Sequence, residues 1–252
     1  MPVIFSFMRL DQAIAARFPG ISRRKARELL SQHRVLVNER PVSVASREVA
    51  PNDRIVMVDA EAELPIIQAT DAWIAVDKPA GLAVQPDRER ARRSVEELLR
   101  VQLKRQNTPH KLYVVHRLDT GTSGVVLFAR TQSAAASLSR LFAEGEMRKT
   151  YIALVEGAID ESITIDTPIR DRTAVTHVRP IRRSEHGTLV EIEIETGRTH
   201  QIRIHLSSIG HPVAGDRRYR STINMPRLML HAWRLEHPTV GPLESAVPPE
   251  FV

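Results

Sequence analysis

The stretch His116-Arg117-Leu118-Asp119-Thr120-Gly121-Thr122-Ser123-Gly124 brings together an imidazole, a guanidinium and a carboxylate, followed by small hydroxyl residues and glycines. Tyr113, Val114 and Val115 lead into it, and Val125, Val126, Leu127 and Phe128 lead out. This is the pattern of a strand that ends in a polar loop and resumes as a strand. Such a loop can present one carboxylate, Asp119, for chemistry. Gly121 and Gly124 allow a tight turn or the close approach of a substrate. The same pattern also fits a solvated β-turn, and these residues alone do not separate the two readings. A second stretch, Thr196 to Leu206, carries Arg198 at a helix start and Arg203 within the first turns. Ile202, Ile204 and Leu206 leave that helix little exposed face. An arginine buried there needs a carboxylate partner, and Asp119 is a candidate.

The elements around these residues read as α+β, with a mixed, mainly antiparallel sheet flanked by helices. Trp73 to Val76 is a strand. Ser94-Val95-Glu96-Glu97 has capping-box spacing and opens a helix to about Leu103. Ser133 to Phe142 is a helix, and Tyr151 to Val155 a strand. Val190, Ile192 and Ile194 alternate with glutamates as a half-buried strand. Gly197 turns it into a helix over Thr199 to Ile209, which Gly210 stops.

The first 60 residues form a separate small α/β unit. Leu10, Ile14 and Phe18 mark one amphipathic helix. Ser22 caps a second, whose inner face is Ala26, Leu29 and Leu30. Val35 to Val37 with Val42 and Val44 suggest a hairpin turning at Asn38-Glu39-Arg40, and Asp53 to Val58 a third strand. Residues 61–65 read as a linker and 66–252 as the larger domain. The second helix carries Arg23, Arg24, Lys25 and Arg27, nearly all one sign, next to a helix N-terminus. That arrangement suits phosphate contacts as well as it suits a solvated face.

Composition agrees with a soluble protein: 42% hydrophobic and 26% charged residues, no cysteine and a net charge of +6 over 252 residues. Absence of cysteine excludes disulfides and thiolate metal sites and permits a reducing cytoplasm. No apolar run approaches the roughly 18 residues of a membrane span. The start lacks the basic residues and cleavage site of a secretory leader. The histidines His200, His205, His211, His231 and His237 fit no metal-ligand spacing, so no metal is expected.

His116 to Asp119 with Thr122-Ser123-Gly124 resembles the signature of RluA-type pseudouridine synthases. Gly197-Arg198-Thr199-His200-Gln201-Ile202-Arg203 resembles that family's third motif, and Arg148-Lys149-Thr150-Tyr151 the motif of its active-site tyrosine. Asp77 to Gly81, Gly210-His211-Pro212 with Gly215-Asp216, and Leu230-His231-Ala232 fit in the same order. The first 60 residues resemble the S4-type RNA-binding domain through Arg9-Leu10-Asp11, Ile21 to Arg24 and Val35 to Asn38. Arg-Leu-Asp thus occurs twice, but at residues 9–11 it lacks the preceding histidine and the following Thr-Ser-Gly, so Asp11 reads as structural. Departures are Thr120-Gly121, Arg220 where relatives often have glycine, and His33 and Glu39 at turns where glycines are usual.

The resemblance implies the pseudouridine synthase fold and an isomerisation that needs no metal or redox cofactor. It makes Asp119 the catalytic carboxylate, with Arg203 as its cation and Tyr151 as a face for the base. It marks His116, Arg117, Thr122, Arg198 and Gln201 for substrate contact, Arg117 filling the space a flipped nucleotide leaves. The expected partner is RNA, ribosomal rather than transfer RNA, bound by a cytoplasmic monomer. A non-catalytic RNA-binding protein is the alternative from another class.

Overall fold

A computed structural model describes residues 7–31, 34–38, 40–57, 63–86, 94–108 and 111–251. They divide into two compact units that part between Glu63 and Leu64. The first contains β1 (Met8–Arg9), α1 (Leu10–Arg17), α2 (Arg23–Ser31), β2 (Val35–Val37), β3 (Arg40–Pro41), β4 (Glu48–Val49) and β5 (Ile55–Met57). β1 pairs with β4, while β3, β2 and β5 form a three-stranded sheet. Leu10, Ile14, Ala26, Leu29, Leu30, Val35 and Val37 close its core. Ser22 Oγ accepts from the Lys25 amide at 3.2 Å, the expected N-cap bond. The hairpin is shorter than the alternation implied: Val42 is buried but Val44 is exposed. His33 and Glu39 lie outside the described residues, as do residues 58–62. Leu64, expected in a linker, belongs to the second unit, where it is 4% exposed and its carbonyl accepts from Gln102 Nε2 at 3.1 Å.

The second unit comprises β6 (Ile66–Ala69), β7 (Trp73–Lys78), α3 (Val95–Arg105), β8 (Tyr113–Val114), β9 (Ser123–Ala129), α4 (Gln132–Glu144) and β10 (Arg148–Val155), then β11 (Ile163–Ile165), β12 (Thr176–Ser184), β13 (Gly187–Ile194), α5 (Gln201–Ser208), β14 (Leu230–His237) and β15 (Gly241–Glu244). Its sheet runs β11-β12-β13-β10-β14-β9-β7-β6, with β15 on β14 and β8 on β9. Every pair in this sheet is antiparallel except β14 with β9. The sheet is therefore mixed and mainly antiparallel, as the element pattern implied.

Both faces of the sheet are covered. On β9, Val126 and Phe128 join the core that includes Val95 and Leu99 of α3 and Ile202 and Leu206 of α5. Val125, Leu127 and Ala129 point the other way, into a core with Leu138 and Leu141 of α4. This double burial explains why β9 reads as an unbroken apolar run rather than an alternation. The capping box at Ser94 and Glu97 is present as expected. Two helix starts differ from the sequence reading. α4 starts at Gln132 rather than Ser133, capped by Thr131, whose Oγ1 accepts from the Ala134 amide at 3.1 Å. α5 starts at Gln201, because His200 takes a left-handed conformation with φ of 58°.

Register aligns distant segments. Ile192 pairs with Tyr151, Tyr151 with Ala232, Ala232 with Gly124, and Gly124 with Lys78. One transverse row thus crosses five strands. Gly124 sits at its parallel step with φ of +114°, and a Cβ there would meet the Ala232 carbonyl oxygen at 2.1 Å. Only glycine fits that step.

Candidate active site

The polar loop between β8 and β9 opens onto a cavity of about 900 Å³, lined among others by Arg117, Asp119, Tyr151, Arg198, His200 and Arg203. Asp119 comes from the loop itself, Tyr151 from β10, and Arg203 from the first turn of half-buried α5. Arg203 Nη1 donates to Asp119 Oδ2 at 2.8 Å. This is the pairing expected from the buried face of that helix. Asp119 Oδ1 accepts no hydrogen bond among the described residues; His200 Nε2 lies 3.7 Å from it. One oxygen is held and the other is left for chemistry.

Arg203 has a second carboxylate that the sequence reading did not pair with it. Its Nε donates to Asp216 Oδ2 at 2.6 Å and its Nη2 to Oδ1 at 2.9 Å. Asp216 is only 3% exposed. Burial works against the guanidinium charge, but the bonds to Asp216 and Asp119 outweigh it and raise its pKa. A fork with two anchored nitrogens cannot rotate, so the third nitrogen meets Asp119 in a fixed direction.

Tyr151 is 9% exposed. Burial first, then the charge of Asp119, push its phenol pKa well up, so the ring remains protonated at neutral pH and offers a face and an O–H rather than a phenolate. Lys78 is fully buried at the end of the transverse row. Its Nζ donates to the carbonyls of Pro79 (2.9 Å), Leu82 (2.7 Å) and Thr120 (3.2 Å), tying the turn after β7 to the residue next to Asp119. Burial lowers its pKa to about 7, against the pull of Asp119. The Lys-Pro turn was visible in the sequence, but its lysine's role as a clamp was not.

Other expected contact residues are divided. Arg117 is exposed and Arg198 partly so, and both line the cavity. His116 also lines it, yet its ring stacks on Phe142 at 4.4 Å and its Nε2 accepts from the Leu127 amide at 2.9 Å. Thr122 is 2% exposed. Gln201 is 3% exposed; its Oε1 accepts from Thr196 and from the Arg198 amide, and its Nε2 donates to Val175 and Thr176. The side chains of His116 and Gln201 are spent on holding the loop and the start of α5, which leaves them little for a ligand. Ser123 is likewise committed. His231 Nε2 faces the Ser245 carbonyl at 3.2 Å and so carries the proton, leaving Nδ1 to accept from Ser123 Oγ at 2.8 Å.

In the first unit Asp11 is fully buried and meets Arg9 (3.2 Å), Arg23 (3.3 Å) and Arg27 (3.0 Å). The Arg-Leu-Asp at residues 9–11 is structural, as its context implied. Arg23 and Arg27 therefore serve Asp11 as well as the surface, while Lys25 pairs with Glu28 at 3.0 Å and Arg24 is exposed.

The family model for RNA pseudouridylate synthase matches residues 72–208, a span holding Asp119, Tyr151 and Arg203. The chain belongs to the RNA pseudouridylate synthase family. The S4 domain model matches residues 8–55 of this synthase. A Nitrosomonas europaea relative named ribosomal large subunit pseudouridine synthase D is 32% identical, the match covering 97% of this chain and 82% of the relative. The Bacillus subtilis RNA pseudouridine synthase YhcT is 35% identical over 74% of this chain and 68% of its own. A solved human structure, RNA pseudouridylate synthase domain containing 1, superposes with a TM-score of 0.64 at 26% identity, covering 77% of this synthase and 86% of the human chain. The synthase is thus an isomerase that detaches uracil from ribose at nitrogen, turns it and rejoins it through carbon. Arg220, the departure from a usual glycine, has φ of +67°; the position demands a left-handed residue, and here arginine adopts it.

Proposed function

We propose that this synthase converts specific uridines of large-subunit ribosomal RNA, with Asp119 as the catalytic carboxylate. The observation that carries the assignment of Asp119 is its asymmetry: Oδ2 is held by Arg203 at 2.8 Å while Oδ1 faces the cavity that Tyr151 also lines. The uridine leaves its stack, at a cost of a few kcal/mol, and enters the cavity. Asp119 Oδ1 then attacks it or stabilises the cation formed as the glycosidic bond breaks. Tyr151 holds the detached ring by its face, and Arg203 keeps the carboxylate aimed. Arg117 occupies the gap left in the RNA.

The choice of ribosomal RNA follows the names of relatives such as the Nitrosomonas europaea protein, together with the N-terminal S4 unit. Mapping pseudouridines in cells lacking this gene tests both parts. Wild-type protein is expected to restore one or more pseudouridines in large-subunit RNA, and folded Asp119→Asn to restore none. Restoration by Asp119→Asn would overturn the assignment of the carboxylate. Sites found only in transfer RNA would overturn the substrate.

A further inference from the structure

Some arginines of the second unit are matched by carboxylates and others are not. Arg148, Arg179 and Arg227, all away from Asp119, hold carboxylates of Glu193, Glu191 and Glu250 at 2.8–2.9 Å. Arg203, inside the cavity, is neutralised by two. Three others that line the same cavity, Arg117, Arg198 and Arg218, hold no carboxylate among the described residues. Among the described residues, the Arg198 side chain spends only its Nε, on the Thr173 carbonyl at 2.9 Å, and the Arg218 side chain makes no hydrogen bond, its guanidinium standing 5.9 Å from the Tyr219 ring centre. Like charges gathered round one opening without counter-charges repel one another, unless an anion joins them.

Arg218 is also held where it is. It lies in a 3-10 turn, Arg217–Tyr219, and both sides of that turn are anchored. Before it, Asp216 grips Arg203. After it, Glu156 accepts from the Thr222 amide (2.6 Å), the Ile223 amide (3.0 Å) and Thr222 Oγ1 (3.0 Å), and also from Ser221 Oγ. Ser221 Oγ accepts from the Gly215 amide at 3.0 Å, closing the loop on itself. The Tyr219 hydroxyl meets His200 Nδ1 at 2.8 Å. A cation on so fixed a loop loses little freedom when it binds.

We propose that Arg218 is a phosphate-binding residue, completing with Arg117 and Arg198 a three-arginine rim that takes the RNA backbone on either side of the flipped uridine. The proposal rests on the pseudouridine synthase reading of this site and adds the residue that grips the strand. It is tested by equilibrium binding of the full chain to an RNA hairpin with uridines in its loop, over a range of KCl. Each phosphate contact contributes about 0.7 to the slope of log affinity against log salt for single strands. Arg218→Gln is expected to flatten the slope by about that amount and to weaken binding several-fold at low salt. Arg218→Lys should keep the slope, as should Arg179→Gln, whose charge is already matched by Glu191. An Arg218→Gln slope equal to wild type overturns the proposal, as does equal loss in Arg218→Lys. Tritium release from uridine-labelled RNA, read in parallel, judges the reaction itself: failure there counts against the Proposed function and leaves the slope comparison standing.

Discussion

The two oxygens of Asp119 have different neighbours, Arg203 donating to Oδ2. His116, three residues before it, is committed to the scaffold. Burial first, then the charge of Lys149, lower its pKa to about 3, so the folded protein keeps the ring neutral where an unfolded chain would protonate it near 6.5. The unfolded state binds the extra proton between those values, so stability rises with pH there. The contribution is present above about 6.5 and is lost as pH falls toward 3, amounting to about 2 kcal/mol by about pH 5. Urea unfolding of wild type and His116→Asn should therefore differ by about 2 kcal/mol less at about pH 5 than at neutral pH. A gap that stays constant would show that the ring is protonated in the fold. Residue types made Asp119 and Arg203 legible as partners, since a guanidinium on an apolar helix face needs an anion. They did not reveal that Asp216 takes two of the three guanidinium nitrogens. No periodicity announces a contact between side chains from a helix and a loop beyond it; only the Gly215-Asp216 pair within a family-like segment hinted at it. Likewise the family resemblance marks His116, Thr122 and Gln201 for substrate contact, and a motif does not show which of its polar side chains are buried.

At the scale of elements, the site depends on where β9 begins. The polar loop ends where Ser123 and Gly124 enter the parallel pairing with β14, so a glycine with no room for Cβ fixes the last point of the loop. Gly124→Ala meets both a left-handed backbone and the Ala232 carbonyl. It should cost about 3 kcal/mol or more in thermal or urea unfolding and abolish pseudouridine formation. Wild-type stability in that variant would mean that the parallel pair is not the fixed point. The element pattern itself was largely readable: capping boxes, apolar runs and helix-ending glycines are local signals, and β7, α3, β10, β13 and the stop of α5 lie close to where they pointed. What local signals could not supply was the start of α5. His200 in a left-handed conformation carries no propensity signature; tertiary contacts with Tyr219 and the loop hold it there.

The chain folds as two units, each with its own apolar core residues. The apolar clusters of the first unit and of the second share no residue, and Leu64 already belongs to the second. Removing residues 1–60 should leave a second unit that unfolds cooperatively, binds RNA more weakly and shows a flatter salt dependence, because lysines and arginines of α2 are lost with it. An unchanged salt slope would count against RNA contact by that helix. Within the second unit, the row from Ile192 through Tyr151, Ala232 and Gly124 to Lys78 has a consequence for how such a chain can change. A strand that slips by one residue turns every side chain to its other face, and this row makes five strands share a single count. The sheet acts as a ruler laid across segments that are far apart in sequence. The bulge opposite Thr150 and Tyr151, which leaves Trp233 between the paired residues Ala232 and Arg234, is the one place where that count is reset. Insertions in the connections, such as the turn around Arg170 and Asp171, leave the ruler alone. A single residue added inside β10, β14 or the start of β9 would be read at Asp119, however far away the change was made.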